Sequence, residues 1–301
     1  MREHQRFVLG PILIVLIVVG LALDQYIDML QAPVIAGIKL RTANGTFPPG
    51  MLLLPIMLLV AILGARELAV LLAAKGIVGS RRIMSLSAFI GLALSSLVPS
   101  TLKSTDAVAA VSTGAVTVLA AALAFHARHK SVQGVLAAAG ASLLAFVYLG
   151  LMFGFMLSIR REHAAWTLLW VLLVTKSCDI GAYLVGKSIG KHKLIPWLSP
   201  GKTWEGLFGG IAMATGVSIL GLIALDNAKV MPWPGWIAAI AAGAIFAVVG
   251  QAGDLLESLL KRDAGHKDSG KSVPGFGGVL DLLDSPLLVA PVAYWWLRAV
   301  Q

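Results

Sequence analysis

The chain has 301 residues, 58% of them hydrophobic and only 13% charged, with a mean hydropathy of +0.86. A soluble domain carries roughly 25% charged residues, so a soluble globular fold is excluded and an all-α polytopic membrane protein is expected. One cysteine, Cys178, excludes an internal disulfide and a cysteine-based zinc site, and the net charge of +9 is accounted for below by topology, leaving no nucleic-acid partner to invoke.

In chain order, nine apolar stretches are long enough to be read as spans: 7–23, 51–74, 83–98, 107–125, 132–157, 164–185, 206–225, 236–253 and 286–297. The first follows Arg2 and Arg6 as a secretory leader would, but its apolar run is too long and no small-residue cleavage site follows. The second carries Arg66 and Glu67 near its far end, and an interfacial position explains that pair more simply than a function. The last is short for a crossing. No repeat, low-complexity tract or soluble domain interrupts the pattern. Residues 1–163 form an N-terminal region of about five spans, and residues 164–301 a region with two elaborate polar loops.

Lysine and arginine fix the orientation. With the N-terminus in the cytoplasm, fifteen of the 24 basic residues fall in inside segments and seven outside, while Arg66 and Lys176 lie within apolar stretches. An odd number of spans then leaves the C-terminus outside. Both polar loops, after the sixth and eighth spans, face the compartment that contains nucleotides.

The loop after span eight is the richest in chemistry. Between Gly250 and Ser285 it holds five aspartates and one glutamate among four basic residues. Asp254, Glu257, Ser258 and Lys261 recur at spacings of three and four, which places them on one helical face with Arg262 beside them. An ordinary helix end, with Glu257 and Lys261 as an i,i+4 pair worth a few tenths of a kcal/mol, fits this spacing, and so does a ligand-binding face. Asp281 and Asp284, one turn apart after a glycine-rich stretch, could be dipole partners of a helix start. Facing Asp254 across a hairpin, they would instead form a hard-oxygen site suited to magnesium, with Asp268 as a further ligand. Pro274, Gly275, Gly277 and Gly278 permit close backbone approach to a ligand. Residues 265–272, GHKDSGKS, match the P-loop pattern, but no buried strand precedes them and Pro274 interrupts any following helix. A P-loop ATPase is therefore set aside, although Lys267 and Lys271 could still meet phosphate oxygens.

The loop after span six is similar in kind. Ser199, Lys202 and Thr203 form a compact turn that runs into a helix bearing Gly206, Gly209 and Gly210, an arrangement suited to an anion. Lys176 and Asp179, one turn apart, are expected to pair with each other, though ions within a span are functional candidates. His192 and His266 have no partner at metal-ligand spacing and are read as loop residues.

This combination resembles the phosphatidate cytidylyltransferases, or CDP-diacylglycerol synthases. Their C-terminal signature runs, in outline, S-x-x-K-R-x4-K-D-x-G-x-x-x-P-G-H-G-G-x-x-D-R-x-D. Here Ser258, Lys261, Arg262, Lys267, Asp268, Gly270, Pro274, Gly275, Gly277, Gly278, Asp281 and Asp284 supply it. The stretches around Asp179 and from Ser199 to Gly206 are similar to that family's too. Phe276 stands in place of the usual histidine and Leu282 in place of the usual arginine.

The resemblance implies transfer of the cytidylyl group of CTP to phosphatidate, giving CDP-diacylglycerol and pyrophosphate for phospholipid synthesis. It implies metal ions, Mg2+ and a second ion, on Asp254, Asp281, Asp284 and Asp268. Lys261 and Arg262 would act with them, and Ser199, Lys202, Thr203, Ser258, Lys267, Gly277 and Gly278 would hold substrate. The expected partners are CTP, phosphatidate in the bilayer and membrane lipids, with a homodimer left open, in a bacterial inner membrane with the site facing the cytoplasm. A CTP-dependent lipid kinase releasing CDP and an ion-coupled transporter are the competing readings. The transporter should show two related halves with broken helices, and no such symmetry is visible.

Overall fold

The computed structural model describes residues 2–32, 45–77, 79–101, 104–128, 132–273 and 275–300. Pro274, named above, and Lys39, Arg41, Lys103 and Lys130, which are among the basic residues counted above, lie outside the described residues. The chain is helical almost throughout: α1 (Arg2–Ile27), α2 (Leu53–Ala73), α3 (Arg81–Thr101), α4 (Ser104–Ala127), α5 (Val135–Leu144), α6 (Met152–Glu162), α7 (Ala165–Ile189), α8 (Trp204–Asn227), α9 (Trp236–Asp263) and α10 (Leu280–Ala299). A π-helical segment, Ala145–Leu151, joins α5 to α6 in one continuous rod. Lipid leaves backbone groups no partner but their own helix, so apolar runs of this length fold in this way.

Among the described residues, seven helices are long and apolar enough to cross a membrane. They are α1, α2, α4, the rod from α5 to α6, α7, α8 and α9. The expectation of nine crossings is therefore not established by length and composition. α3 opens on Arg81 and Arg82, and α10 carries Asp281, Asp284, Arg298 and two prolines. Charge and proline dilute the apolar character of both.

α7 and α8 pack along a seam of glycines. A Cβ on Gly181 would lie 2.7 Å from the Gly209 carbonyl, and one on Gly210 would lie 2.8 Å from the Cys178 carbonyl. Gly206, Gly209 and Gly210, read above as part of an anion-binding helix start, serve this close approach. Small residues let helices touch where lipid provides no hydrophobic drive. Deeper in the bundle, Trp170, Phe246 and Trp296 tie α7, α9 and α10 together, with ring centroids 5.4–6.1 Å apart.

The two ends of the bundle are both ionic. At one end Arg160, 1% exposed, pairs with Asp24 at 2.6 Å and with Asp28. Asp24 also accepts the N–H groups of Leu52 and Leu53 at the start of α2, and Tyr294 donates to Glu162 at 3.0 Å. Arg160 lies in the last turn of α6, and partner carboxylates fix it there. Because neighbouring helices run antiparallel, the ends of α2, α7 and α9 and the starts of α8 and α10 gather at the opposite end. That end carries the motifs.

Candidate active site

α9 and α10 meet at Gly253, where an added Cβ would lie 2.5 Å from the Asp284 carbonyl. This contact brings the carboxylates of two helices into one group. Asp254, Glu257 and Asp284 each place an oxygen within 4.8 Å of the others. Continuation of α9 as a helix to Asp263 explains the arrangement, since Asp254, Glu257 and Lys261 then share a face.

Each acid has a lysine. Lys202 reaches Asp254 at 2.6 Å, Lys261 pairs with Glu257, and Lys176 lies 3.1 Å from Asp284 and 3.5 Å from Asp179. Lys261 also reaches Asp281 at 2.7 Å. Lys176, expected to pair with Asp179 alone, bridges two acids. Five carboxyl groups (Asp179, Asp254, Glu257, Asp281 and Asp284) thus face three lysines. Glu257 is 0% exposed, and its Oε1 has no hydrogen-bond partner among the described residues. An unpaired carboxylate oxygen buried beside like charges is strongly unfavourable. Clustered hard oxygen donors, one of them orphaned, suit a divalent cation.

Asp281 and Asp268, grouped with the metal ligands from the sequence, lie outside this cluster. Asp281 is occupied otherwise. Its Oδ1 accepts from Lys261, and its Oδ2 accepts from the backbone of Ser269 (2.9 Å), the Ser269 hydroxyl (2.8 Å) and the backbone of Gly278 (2.7 Å). Burial pushes the carboxyl up, but the bonds from Lys261 and Gly278 outweigh it and hold the group below the usual carboxylate range. Asp281 is the pin that folds the glycine-rich loop onto the start of α10. Gly277 (φ +106°) and Gly278 are there because a Cβ would meet Asp281 Oδ2 at 2.6 Å and Ser269 Oγ at 2.2 Å. Phe276 turns towards α1, its ring 3.6 Å from where a Cβ on Gly10 would sit. The residue replacing the family's histidine is thus a packing contact.

The loop before α8 is a two-stranded hairpin, β1 (Lys193–Ile195) and β2 (Ser199–Thr203), paired antiparallel. It is the one sheet among the described residues. Thr203 caps α8, its hydroxyl accepting from Gly206 N–H at 3.1 Å. Next to it, Ser199, Lys202, Asp179, Tyr183, Gln251 and Asp254 line a cavity of about 340 Å³. A second cavity of about 440 Å³ lies against Val70 and Leu71 of α2 and is lined by Lys267, Asp268 and Lys271 of the glycine-rich loop. Ser258 is half-buried, and Arg262 is exposed at the end of α9.

Two groups from the N-terminal half, unassigned by the motifs, join the site. Glu67 of α2, placed above at an interface, is 7% exposed and accepts hydrogen bonds from the backbone N–H groups of Val279 and Leu280, with the Ser269 hydroxyl 3.3 Å away. Tyr148, in the π-helical segment, is 7% exposed, and its hydroxyl has no partner among the described residues. The charges acting on that hydroxyl are the carboxylates of Glu257, Asp284 and Asp254. Glu67, a lone acid in an apolar run, carried a signal in the sequence; Tyr148 did not.

Fold and site together define an integral membrane protein with a carboxylate and lysine centre at one end of its helices, suited to a metal ion and phosphate oxygens. The chain belongs to the cytidylyltransferase family, whose description matches residues 34–300. It is 40% identical over 156 residues to the phosphatidate cytidylyltransferase of Bacillus subtilis (strain 168), covering 51% of this chain and 56% of that protein. Against the phosphatidate cytidylyltransferase of Staphylococcus aureus (strain COL), identity is 41% over 151 residues, 50% and 55% of the two chains. A protein of Escherichia coli (strain K12), uncharacterized protein YnbB, is 39% identical over 151 residues, 46% and 49% of the two chains. The chain spans about half the length of the curated relatives it matches.

Proposed function

We propose that this protein transfers the cytidylyl group of CTP to phosphatidate, releasing pyrophosphate and CDP-diacylglycerol. The observation that carries this reading is the juxtaposition of Asp254, Glu257 and Asp284 with Lys176, Lys202 and Lys261 beside the hairpin cavity. Family membership supports the reaction type, and the relatives named phosphatidate cytidylyltransferase support the lipid acceptor.

Two anions must meet, and their repulsion opposes it. Lys202 and Lys176 stand where polyphosphate oxygens would enter from the hairpin cavity, and both can exchange a carboxylate for a phosphate partner. A Mg2+ ion held by Asp254, Glu257 and Asp284 would neutralise charge on the triphosphate and on the departing pyrophosphate. One such acidic group exists among the described residues, so one ion is proposed here rather than two. A phosphate oxygen of the lipid attacks the α-phosphorus of CTP; the bond to the bridging oxygen of the β-phosphate breaks and pyrophosphate leaves. That oxygen is already ionised at neutral pH, so no side chain has to take a proton from it. Lys261 is tied to Glu257 and Asp281, and holds α9 and α10 in register while this happens.

The site is placed at the cytoplasmic face because the basic residues cluster on that side. Nine crossings, counting α3 and residues 286–297 of α10, give the N-terminus the same side. The lipid head enters between helices and its tails stay in the bilayer.

Purified protein supplied with phosphatidate, Mg2+ and CTP labelled at either the α or the γ position tests the reaction. Label from the α position in the lipid, with γ label in pyrophosphate, is the expected result. γ label in the lipid, with CDP released, would make the protein a lipid kinase. No label in the lipid from either position would remove the activity.

A further inference from the structure

α10 begins without a cap of its own. Its N-cap residue, Val279, has helical backbone angles and offers no side-chain acceptor. The first N–H groups of a helix have no partner within it and must be satisfied from elsewhere. Gly278 N–H is taken by Asp281 Oδ2 at 2.7 Å. Val279 and Leu280 N–H are taken by Glu67, one on each carboxylate oxygen, both at 3.0 Å. Glu67 comes from α2, 212 residues away in sequence from Val279. Its Oε2 also lies 3.3 Å from the Ser269 hydroxyl, which donates to Asp281 at 2.8 Å.

The surroundings are shaped for this carboxylate. A Cβ on Gly270 would lie 2.7 Å from Glu67 Oε1, and one on Gly278 would lie 2.4 Å from its Oε2. Any side chain at either glycine would displace the acid or the loop. One turn earlier on α2, Gly64 faces Leu280 of α10 and Leu149 of the π-helical segment. The start of α10 therefore rests on α2, and a negative charge sits where the helix dipole favours it. Asp284 lies one turn beyond Leu280 on the same helix, so what anchors Leu280 sets where Asp284 meets Asp254 and Glu257.

We infer that Glu67 is a positioning residue for the reaction: a bidentate cap, supplied by α2, that holds Asp284 in the acidic group and pins the glycine-rich loop over it. The inference rests on the metal-assisted reading above. It assigns to the N-terminal helices a part in a site whose motifs all lie in the C-terminal half.

Glu67→Gln tests it, because the amide has a single acceptor oxygen and would turn N–H groups towards one of the two backbone donors. Two readouts are taken on detergent-purified protein: Mn2+ binding by electron paramagnetic resonance without substrate, and kcat and KM for CTP. Loss of an outer partner of a metal ligand weakens metal binding by about 10- to 100-fold. The expected result is Mn2+ binding weakened by about tenfold or more, kcat lowered in step, and KM for CTP little changed. Wild-type Mn2+ affinity and kcat in Glu67→Gln would overturn the inference. If Glu67→Gln does not fold, Glu67→Asp decides: its carboxylate is withdrawn by one methylene, and unchanged Mn2+ affinity would overturn the inference equally. Wild-type protein that binds Mn2+ without making CDP-lipid refutes the proposed reaction while the Mn2+ comparison still judges Glu67. Wild-type protein that binds no Mn2+ refutes the inference.

Discussion

Lys202, the fourth residue of β2, reaches across to Asp254 of α9, Nζ to Oδ2 at 2.6 Å, and so joins the two polar loops of the chain. Neither loop has this contact by itself. Together they make the hairpin cavity open onto the acidic group. Lys202→Met removes a cation placed where polyphosphate charge would be met. Its turnover is expected to fall by about 100-fold, the scale of losing one preorganised donor. Initial rates with CTP and phosphatidate check this; a rate within threefold of wild type (roughly 0.7 kcal/mol) would take Lys202 out of the site.

Glu257 and Asp281 share Lys261 but do different work, and substitution should separate them. Glu257→Gln removes a proposed cation ligand and is expected to raise the Mg2+ concentration for half-maximal activity by about tenfold or more. Asp281→Asn unpins the loop and leaves Lys261 with one partner. Breaking a buried pair this way destabilises by about 3 kcal/mol or more, so folded yield and melting temperature should drop. A titration of Mg2+ against rate for the first, and a melting curve in detergent for the second, check the pair. Reversal of the two outcomes would exchange the roles given to these acids.

Tyr148 holds a buried hydroxyl that has no partner among the described residues and feels the charges of Glu257, Asp284 and Asp254, and it sits in a π-helical turn, a feature that recurs at functional sites. Tyr148→Phe keeps the ring and its packing. If the hydroxyl donates to substrate, kcat should fall about fivefold, the worth of one hydrogen bond near 1 kcal/mol, with melting unchanged. Equal kcat in the variant would leave the hydroxyl without a part in turnover.

Phe276 packs against α1 at Gly10 and does not enter the acidic group. Phe276→Ala is expected to lower stability by roughly 1–2 kcal/mol, less than the 3–5 kcal/mol of a fully buried phenylalanine. Turnover per folded molecule should be preserved. Melting and specific activity on the same preparation check both halves of this statement.

What could be read in the sequence was whatever depends on local spacing. The 254, 257, 258, 261 pattern specifies one face of α9, and α9 does continue as a helix to Asp263. Asp254 and Asp284 come together because that face meets α10 at Gly253. Contacts between distant segments were not legible. Asp281 has the same spacing to Asp284 whether it binds a metal or pins a loop, and its bonds from Ser269 and Gly278 come from a segment that this spacing does not describe. Glu67 looked like an interfacial acid because its partners lie more than 200 residues along the chain. The glycines of α8 read as an anion-binding turn, since their use depends on the backbone of α7.

Pyrophosphate release and CDP-lipid formation, followed in parallel for wild type and Asp254→Asn with and without Mg2+, test the central claim most directly. The account predicts one pyrophosphate per CDP-lipid for wild type, only with Mg2+ and phosphatidate both present, and neither product from Asp254→Asn. Metal-independent release, or a near wild-type rate from Asp254→Asn, would contradict it.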